Sequence, residues 1–340
     1  MLPLVLLAGC VGVGAAVPGA PEHHRERGFV NQNPGFTRPG FWEIQRFRAS
    51  RLWEALTGAH AAVEFPRQDN DGGALRATPA GPTLTWIGHA TFLVQLDGLN
   101  VLTDPQFSER ASPFSFAGPR RLNAPGLAFE DLPPVHVVVI SHDHYDHLDR
   151  ASVQRLAATH RPLFLVPLRM KAWFASIGIT EGVEELDWWQ SRRVGEVTVT
   201  CTPVQHWSAR TPFDMNERLW AGWSLAGRDR RLYFAGDTGF WEPGFREVGT
   251  RLGPFDVALV AIGAYEPAVI MRMTHTTPEE ALALFTAVRA RTFVAMHWGT
   301  FDLADEPIDE PPRRLREAAT RRGLDPERVW ILKHGETRRW

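Results

Sequence analysis

The fold class and the chemistry of this 340-residue chain are decided by one stretch, Ser141-His142-Asp143-His144-Tyr145-Asp146-His147-Leu148-Asp149. It follows a β-branched run at residues 135–140, which is typical of a strand buried on both faces. Imidazole nitrogen and carboxylate oxygen are ligands that zinc accepts readily, and catalytic zinc keeps one position open for water. A buried strand that delivers five such residues in six positions predicts a metal site. A solvated turn that is rich in His and Asp by chance is the alternative.

The bulk composition is that of a globular protein, with 44% hydrophobic and 22% charged residues and a formal net charge of −2. The length suffices for one large domain or two ordinary ones. Nucleic acid is not expected as a partner, because phosphate binding needs a concentrated basic face. The two cysteines, Cys10 and Cys201, imply no disulfide framework.

Residues 1–22 resemble a leader and a tether. The tetrapeptide Leu7-Ala8-Gly9-Cys10 resembles a bacterial lipoprotein cleavage box, but the apolar residues before it lack the positive charges of a secretory leader. Two interpretations stay open: a bacterial lipoprotein tethered to the membrane through Cys10, or a cytoplasmic protein in which the tetrapeptide arises by chance. No later apolar run reaches the roughly 18 residues that a membrane-spanning helix needs.

The rest of the chain divides by composition into two parts. Residues 23–80 are rich in Arg, Pro and polar residues, and we expect an N-terminal extension that packs on the core, with a helix at 42–56. Residues 81–340 predict one α/β domain with mixed sheets. Its strands are expected at 83–87, 92–96, 100–103, 135–140, 163–166, 197–201, 231–235, 257–261, 292–296 and 329–332. Its clearest helices are expected at 149–159, capped by Asp149, and from Thr277 to about residue 290.

Further candidate ligands follow later strands of this pattern. His206 comes after the strand at 197–201, Asp237 after that at 231–235, and His297 ends that at 292–296. A lone histidine at the end of a strand is more often structural or merely exposed. The order of the three after the histidine cluster, each at the carboxyl end of a strand, favours a role as ligands.

The motif His-x-His-x-Asp-His, followed in order by His, Asp and His, resembles the metallo-β-lactamase fold superfamily. The resemblance implies a four-layer αββα sandwich of two mixed β-sheets flanked by helices. It also implies two Zn²⁺ ions per chain, one held by His142, His144 and His206, the other by Asp146, His147 and His297, with Asp237 bridging them. Asp104, in Leu102-Thr103-Asp104-Pro105, would then fix a ligand histidine from behind.

Additional blocks are similar to the N-acylphosphatidylethanolamine-hydrolysing phospholipase D family and its bacterial relatives. These blocks are residues 86–95, 102–105, 110–119, 205–208 and 296–301, with His23-His24 upstream. The resemblance implies that Tyr145 and His275 contact the substrate. The alternatives are packing under the metal loop for Tyr145 and capping of the following helix for His275.

Three other histidines receive no role in the metal site. His89 belongs to one of the blocks, but its spacing offers no path to the metals, and we interpret it as structural. His23 and His24 are expected to be exposed to solvent. Metal binding there stays open as an alternative, but no partner residue supports it.

The resemblance implies a zinc-dependent phosphodiesterase that cleaves a phospholipid to N-acylethanolamine and phosphatidic acid. A hydroxide shared by the two metals would attack phosphorus, with Asp146 and Asp237 as the catalytic carboxylates. The aromatic segments 107–127 and 207–223 would form an apolar entrance, which makes a membrane surface an expected partner.

Two alternatives to this function stay open. The first is a hydrolase of the same fold that acts on a lactone, a sugar-phosphate lactone or a cyclic nucleotide, because a fold does not define a substrate. The second, a metal-binding protein without turnover, is disfavoured because all seven ligand positions hold competent residues. The natural substrate, the metal used in the cell and the oligomeric state stay open.

Overall fold

The computed structural model of the protein describes residues 13–57, 63–77 and 81–340. The predicted lipoprotein box at Cys10 lies outside these residues. In the part that is described, two seven-stranded sheets face each other and helices cover their outer faces. This arrangement confirms the four-layer αββα sandwich. Among the described helices, none is long and apolar enough to cross a lipid bilayer.

The elements follow one another along the chain as a mixture of short strands and helices. The strands are β1 (His24–Arg25), β2 (Gly28–Phe29), β3 (Thr83–Gly88), β4 (Thr91–Leu96), β5 (Leu99–Thr103), β6 (Val137–Val139), β7 (Leu163–Pro167), β8 (Val183–Leu186), β9 (Ser191–Val194), β10 (Val197–Thr202), β11 (Gly222–Ala226), β12 (Arg231–Phe234), β13 (Phe255–Ala261), β14 (Ala290–Met296), β15 (Val329–Trp330) and β16 (Thr337–Arg339). The helices are α1 (Phe41–Thr57), α2 (Gly73–Arg76), α3 (Arg150–Thr159), α4 (Lys171–Ser176), α5 (Glu242–Arg251), α6 (Ala268–Met271), α7 (Pro278–Ala287) and α8 (Glu310–Arg321), with 3₁₀ turns at Phe129–Asp131 and Pro326–Arg328.

Both large sheets are mixed, as expected. One has the order β16-β3-β4-β5-β6-β7-β8, antiparallel as far as β5 and parallel from β5 to β8. The other has the order β15-β14-β13-β12-β11-β10-β9, parallel from β15 to β12 and antiparallel beyond. The parallel strands bring the carboxyl ends of β5 and β6, and of β12, β13 and β14, to common edges.

The strand before the histidine cluster shows why its sequence is continuously apolar. Val137 and Val139 pack in the core between the two sheets, while Val138 and Ile140 pack with α3 and α4 on the outer face. Successive side chains of a strand point to opposite faces. A strand covered on both faces therefore carries apolar residues at every position.

The predicted helix starts are confirmed, and one predicted helix end is wrong. The carboxylate of Asp149 accepts the amides of Ala151 and Ser152 at the start of α3. Thr277 caps α7 in a reciprocal capping box with Glu280. However, α7 ends at Ala287 rather than near residue 290, because the chain turns through Arg289 at a φ of 61° and Ala290 begins β14.

Six strands, β1, β2, β8, β9, β11 and β16, are not predicted by the sequence pattern. Three of the four residues of β9 are exposed, and the strand carries two arginines. β8, β9 and β16 lie at or next to sheet edges, where one face or one flank meets solvent. β11 lies inside its sheet but begins with Gly222, and its own sequence does not indicate a strand. Its pairing with β10 and β12 stabilises the extended conformation.

The N-terminal segment lies across the sandwich. The β1–β2 hairpin is joined to the core by the amide of Phe29, which donates to the Asn216 carbonyl at 2.9 Å. The guanidinium of Arg51 in α1 contacts the Asp302 carboxylate at 2.7 Å. The division of the chain at residue 80 stays a prediction.

Candidate metal centre

Histidine and aspartate side chains from several strand ends converge at one edge of the sandwich. The structure brings together all seven residues that the sequence predicts as metal ligands. They follow or end strands β6, β10, β12 and β14. Six of the seven form two groups, each with all donor atoms within 4.8 Å of one another: His142, His144 and His206 in one, Asp146, His147 and His297 in the other, where His89 joins them.

The first group consists of three imidazoles. His142 Nε2 lies 2.9 Å from His144 Nδ1, and His206 Nε2 lies 3.3 Å from the same atom. The outer nitrogens of His142 and His206 are occupied: His206 Nδ1 donates to the Thr274 carbonyl at 2.9 Å, and His142 Nδ1 contacts Ser141 Oγ at 2.8 Å. Since these outer bonds place the ring hydrogens outside, the inner lone pairs face a common point.

The second group joins a carboxylate to two imidazoles, and Asp237 lies between the groups. Asp146 Oδ2 is 3.2 Å from His147 Nε2 and 3.4 Å from His297 Nε2. Asp237 Oδ2 is 3.1 Å from each of these nitrogens and 3.9 Å from His142 Nε2. A single carboxylate within reach of both groups is the arrangement that a bridging ligand requires.

Asp104 lies behind the donor atoms, in contact with His147 and Ser141. Its Oδ2 accepts the Nδ1–H of His147 at 2.7 Å, and its Oδ1 accepts the amide of Ser141 at 2.6 Å. The Ser141 hydroxyl also donates to Asp104, so its oxygen is left to accept the ring hydrogen of His142. Burial raises the pKa of Asp104. Through these hydrogen bonds the one carboxylate orients a histidine of each group.

The donor set fits divalent cations. His147 Nε2, His297 Nε2 and Asp237 Oδ1 are buried and have no hydrogen-bond partner. A buried polar atom without a partner costs roughly 1–3 kcal/mol, and cations bound among the donors would satisfy the two imidazole nitrogens. Burial also lowers the pKa of His142 and His206 well below the usual value. Both imidazoles are therefore neutral, the form that binds metal.

Three residues at the centre have a strained backbone conformation. His89, Asp104 and His297 have φ values of 54°, 32° and 63°, in the left-handed region that costs about 1 kcal/mol or more for residues with a Cβ. Gly236, with φ 60°, precedes Asp237, and a Cβ there would lie 2.6 Å from the Cβ of Ser141. The glycine therefore allows the ends of β6 and β12 to approach until Asp237 reaches both groups.

The expectation that His89 lies apart from the metals is wrong. Its Nε2 is 2.8 Å from Asp146 Oδ2, and its ring centroid is 4.0 Å from that of His297. The tight turn between β3 and β4 lifts His89 across to β14, where its carbonyl accepts the amide of His297. Sequence spacing does not reveal a contact made between two sheets. The usable signal was a histidine at the tip of an otherwise apolar hairpin.

Asp143 points away from the metal loop, residues 142–147. Its buried Oδ2 contacts Arg218 at 2.8 Å, and Arg218 also contacts Asp214 at 2.8 Å. The guanidinium of Arg210 donates to the carbonyls of Asp143 and Leu148, at 2.7 and 2.9 Å. The 207–218 segment therefore holds the metal loop in place with two arginines.

The two predicted substrate contacts occupy different positions. His275 Nδ1 lies 3.8 Å from Asp237 Oδ2 without a hydrogen-bond partner, and Thr277 rather than His275 caps α7. The hydroxyl of Tyr145 donates to the Arg210 carbonyl at 2.7 Å, with the Arg210 guanidinium 4.1 Å from its ring centroid. His275 thus borders the donor set, whereas Tyr145 contacts the 207–218 segment. Substrate binding by either residue stays a prediction.

Two facing mixed sheets with histidine and aspartate donors at one edge are the architecture of metal-dependent hydrolases. Residues 99–298 match the family described as "Beta-lactamase superfamily domain". The chain belongs to this superfamily and, within it, to the family that includes the N-acyl-phosphatidylethanolamine-hydrolyzing phospholipases D.

Three relatives and one solved structure illustrate this membership. The chain is 43% identical over 248 residues to N-acyl-phosphatidylethanolamine-hydrolyzing phospholipase D 1 of Caenorhabditis elegans, a match that covers 70% of each chain. It is 38% identical to an uncharacterized protein of Mycobacterium tuberculosis, over 97% of this chain and 86% of that one. A UPF0173 metal-dependent hydrolase of Methanopyrus kandleri is 30% identical, over 75% and 98%. The structure of Igni18, a metallo hydrolase from Ignicoccus hospitalis, superposes with a TM-score of 0.59 at 22% identity, over 76% and 98%, and supports the fold.

Proposed function

We propose that the protein is a zinc-dependent phosphodiesterase that cleaves an N-acyl phosphatidylethanolamine to N-acylethanolamine and phosphatidic acid. One observation carries the proposal: a chain with a full set of converging His and Asp donors is 43% identical to a relative named for this reaction. The similarity covers 70% of that relative, so it includes most of its length.

Two zinc ions fit the donor set. His142, His144 and His206 would hold one ion, and Asp146, His147 and His297 the other, with Asp237 shared. When bound, the pair supplies Lewis-acid activation of water and of the phosphoryl oxygens. Nitrogen and oxygen donors of this kind also accept iron and manganese, so the choice of zinc belongs to the proposal.

The side chains around the donors have separable tasks. Asp146 and Asp237 would balance the charge of bound cations, and Asp104 keeps the ring hydrogen of His147 on its outer side. Burial lowers the pKa of His275 to about 4, so its ring is neutral at pH 7 and can donate one hydrogen bond to a phosphoryl oxygen. The oxygen of Tyr145 donates its hydrogen to Arg210 and retains its lone pairs, with which it would accept from the ethanolamine amide.

An apolar entrance beside the donors would suit acyl chains. Trp207 lines the centre, with its ring 4.3 Å from that of His144. Phe116 and Trp42 are 79% and 76% exposed, and Phe213 is also exposed. The segment of Phe116 and the helix α1, which carries Trp42, both contact the loop that follows His297. The amide of Leu122 donates to the Thr300 carbonyl, and Arg51 of α1 contacts Asp302. Exposed apolar groups of this size mark interaction surfaces, and we propose a membrane as their partner.

A substrate panel tests the proposal. Zinc-loaded protein would be incubated with N-acyl phosphatidylethanolamine, a short-chain phosphodiester, a lactone, a sugar-phosphate lactone and a cyclic nucleotide, and the products identified by mass spectrometry. We expect release of N-acylethanolamine with the highest kcat/KM. Asp237→Asn serves as the inactive control. Faster turnover of a lactone or a cyclic nucleotide would replace the lipid as substrate and leave the metal centre in place.

A further inference from the structure

A second group of His and Asp side chains lies outside the candidate metal centre. His23 and His24, at the start of the β1–β2 hairpin, meet Asp187, which is 163 residues away from His24 in the chain. The expectation that both histidines are exposed is wrong for His23, which is 4% exposed, while the side chain of His24 is 22% exposed. We call these three residues the N-terminal cluster.

The geometry of the N-terminal cluster is convergent. His23 Nε2 lies 2.7 Å from Asp187 Oδ1, and His24 Nε2 lies 2.7 Å from Asp187 Oδ2. All three donor atoms are within 4.8 Å of one another. The ring of His23 stacks on Trp188 with centroids 4.1 Å apart, and the amide of Trp188 donates to Asp187. Packing and hydrogen bonding thus fix one histidine and the carboxylate.

We propose that the N-terminal cluster is an additional metal site, which takes a divalent transition-metal ion such as Zn²⁺. Two imidazole nitrogens and one carboxylate oxygen form a donor set that such ions accept, with water completing the coordination. His24 and Asp187 both reach the surface, so water has access. The cluster shares no residue with the candidate metal centre.

A small movement converts the observed contacts into coordination. Ligand atoms held at about 2.0–2.2 Å from a tetrahedral metal lie roughly 3.3 Å apart, against the 2.7 Å between each histidine and Asp187. Both contacts would have to lengthen by about half an ångström, and His24, the more exposed of the two rings, is the freer to move. Burial alone would raise the pKa of Asp187, but the two histidines lower it below the usual value, so the carboxylate is ionised, as coordination requires.

An ion at this place would join the N-terminal hairpin to the loop that carries Asp187. The His23 carbonyl accepts the amide of Val30, and the next residue, Asn31, brackets the peptide of His206. Asn31 Nδ2 donates to the His206 carbonyl at 2.8 Å, and the His206 amide donates to Asn31 Oδ1 at 3.1 Å. The metal would therefore hold the segment that positions a histidine of the candidate metal centre.

Metal counting on the full-length, tag-free protein tests this site. After saturation with Zn²⁺ and removal of free metal, zinc per chain would be measured by inductively coupled plasma mass spectrometry. We expect His24→Gln and Asp187→Asn each to hold about one equivalent less than the wild type. His160→Gln, which removes a half-buried histidine outside both groups, should match the wild type.

Two further measurements separate this site from the centre. Asp237→Asn should lose zinc from the centre while a subsequent His24→Gln change still removes one more equivalent. Crystals of the wild type, measured at the zinc absorption edge, should show an anomalous peak between His23, His24 and Asp187. Unchanged zinc content in both cluster variants, or a crystal of zinc-saturated protein without that peak, would leave the cluster as a hydrogen-bonded contact and overturn the proposal.

Discussion

The candidate metal centre and the N-terminal cluster use the same side-chain chemistry on very different supports. In the centre, donors come from the ends of rigid strands, and His142, His147 and His206 each have an outer nitrogen held by a further group. In the cluster, His24 begins a two-residue strand, His23 lies in the turn before it and the carboxylate lies on a loop, and the donors hydrogen-bond one another. Support from behind is what pre-organises ligands, so we expect tighter metal binding and chemistry only at the centre.

The substitution Asp237→Asn should have the largest effect. It removes the carboxylate shared by both groups, and we expect kcat to fall by about 10³-fold or more and zinc content to drop, because charge stabilisation is usually the largest catalytic contribution. Activity on the proposed lipid and metal content would be measured together. Asp143→Asn is the matched control, since Asp143 is buried in the same loop but contacts Arg218. It should lose stability and keep its zinc. Wild-type turnover by Asp237→Asn would contradict the expectation that catalysis takes place at the candidate metal centre.

Removal of metal should affect stability as well as activity. The buried, unpartnered atoms of the centre lose their cation, and stripping a tightly bound ligand costs about 4 kcal/mol at a thousandfold excess over Kd. For a protein of this size we expect the Tm to fall on the order of 10 °C. Differential scanning calorimetry before and after chelation, and after zinc is restored, would measure it. An unchanged Tm would mean that the orphaned donors are satisfied without a cation.

Replacement of His89 tests a contact that sequence spacing did not indicate. His89→Ala leaves Asp146 without its 2.8 Å partner, and loss of an orienting residue typically costs about 10–100-fold in activity or metal affinity. We expect kcat to fall within that range, with the fold intact by circular dichroism. His136→Ala, a histidine distant from the donor groups, is the control. Equal activities of His89→Ala and His136→Ala would mean that His89 has only a structural role.

Asn31 lies between the N-terminal cluster and the candidate metal centre, and Asn31→Ala should have a smaller effect than the changes above. Its side chain makes two hydrogen bonds to the peptide of His206, and each is worth about 1 kcal/mol. We expect zinc binding at the centre to weaken by about tenfold. Competition with a chromogenic chelator would measure the affinity. Asn33→Ala, which loses one bond to Gln205, should change it less; the reverse order would contradict positioning of His206 by Asn31.

The exposed aromatic residues should affect membrane binding alone. Phe116→Ser and Trp42→Ser remove side chains that are mostly in solvent, so stability should change by roughly 0.5 kcal/mol or less. Binding to phosphatidylethanolamine vesicles, measured by sedimentation, should weaken severalfold. Hydrolysis of a short-chain soluble phosphodiester should stay within about twofold of the wild type. An equal loss on both substrates would place these residues in the catalytic machinery instead.

Local patterns were sufficient for much of the fold. The apolar run before His142, the capping residues Asp149 and Thr277, and the alternation of strands and helices each depend on neighbours in the chain. The predicted end of α7 is wrong because the chain turns at Arg289, which has a left-handed backbone conformation. Arginine has no preference for that conformation that a sequence pattern could show. β11 was missed because its order comes from its partners, β10 and β12.

The chemistry that the chain can support is readable from its order of residues: histidines and aspartates are spaced at strand ends, in an order that resembles one superfamily. Which of their atoms meet depends on the three-dimensional packing. It brought His89 onto Asp146, turned Asp143 away toward Arg218, and joined His23 and His24 to Asp187. The physical reason is that ligand order along a strand follows from local periodicity, whereas contacts between the two sheets, and between the N-terminal segment and the core, depend on packing across the whole sandwich.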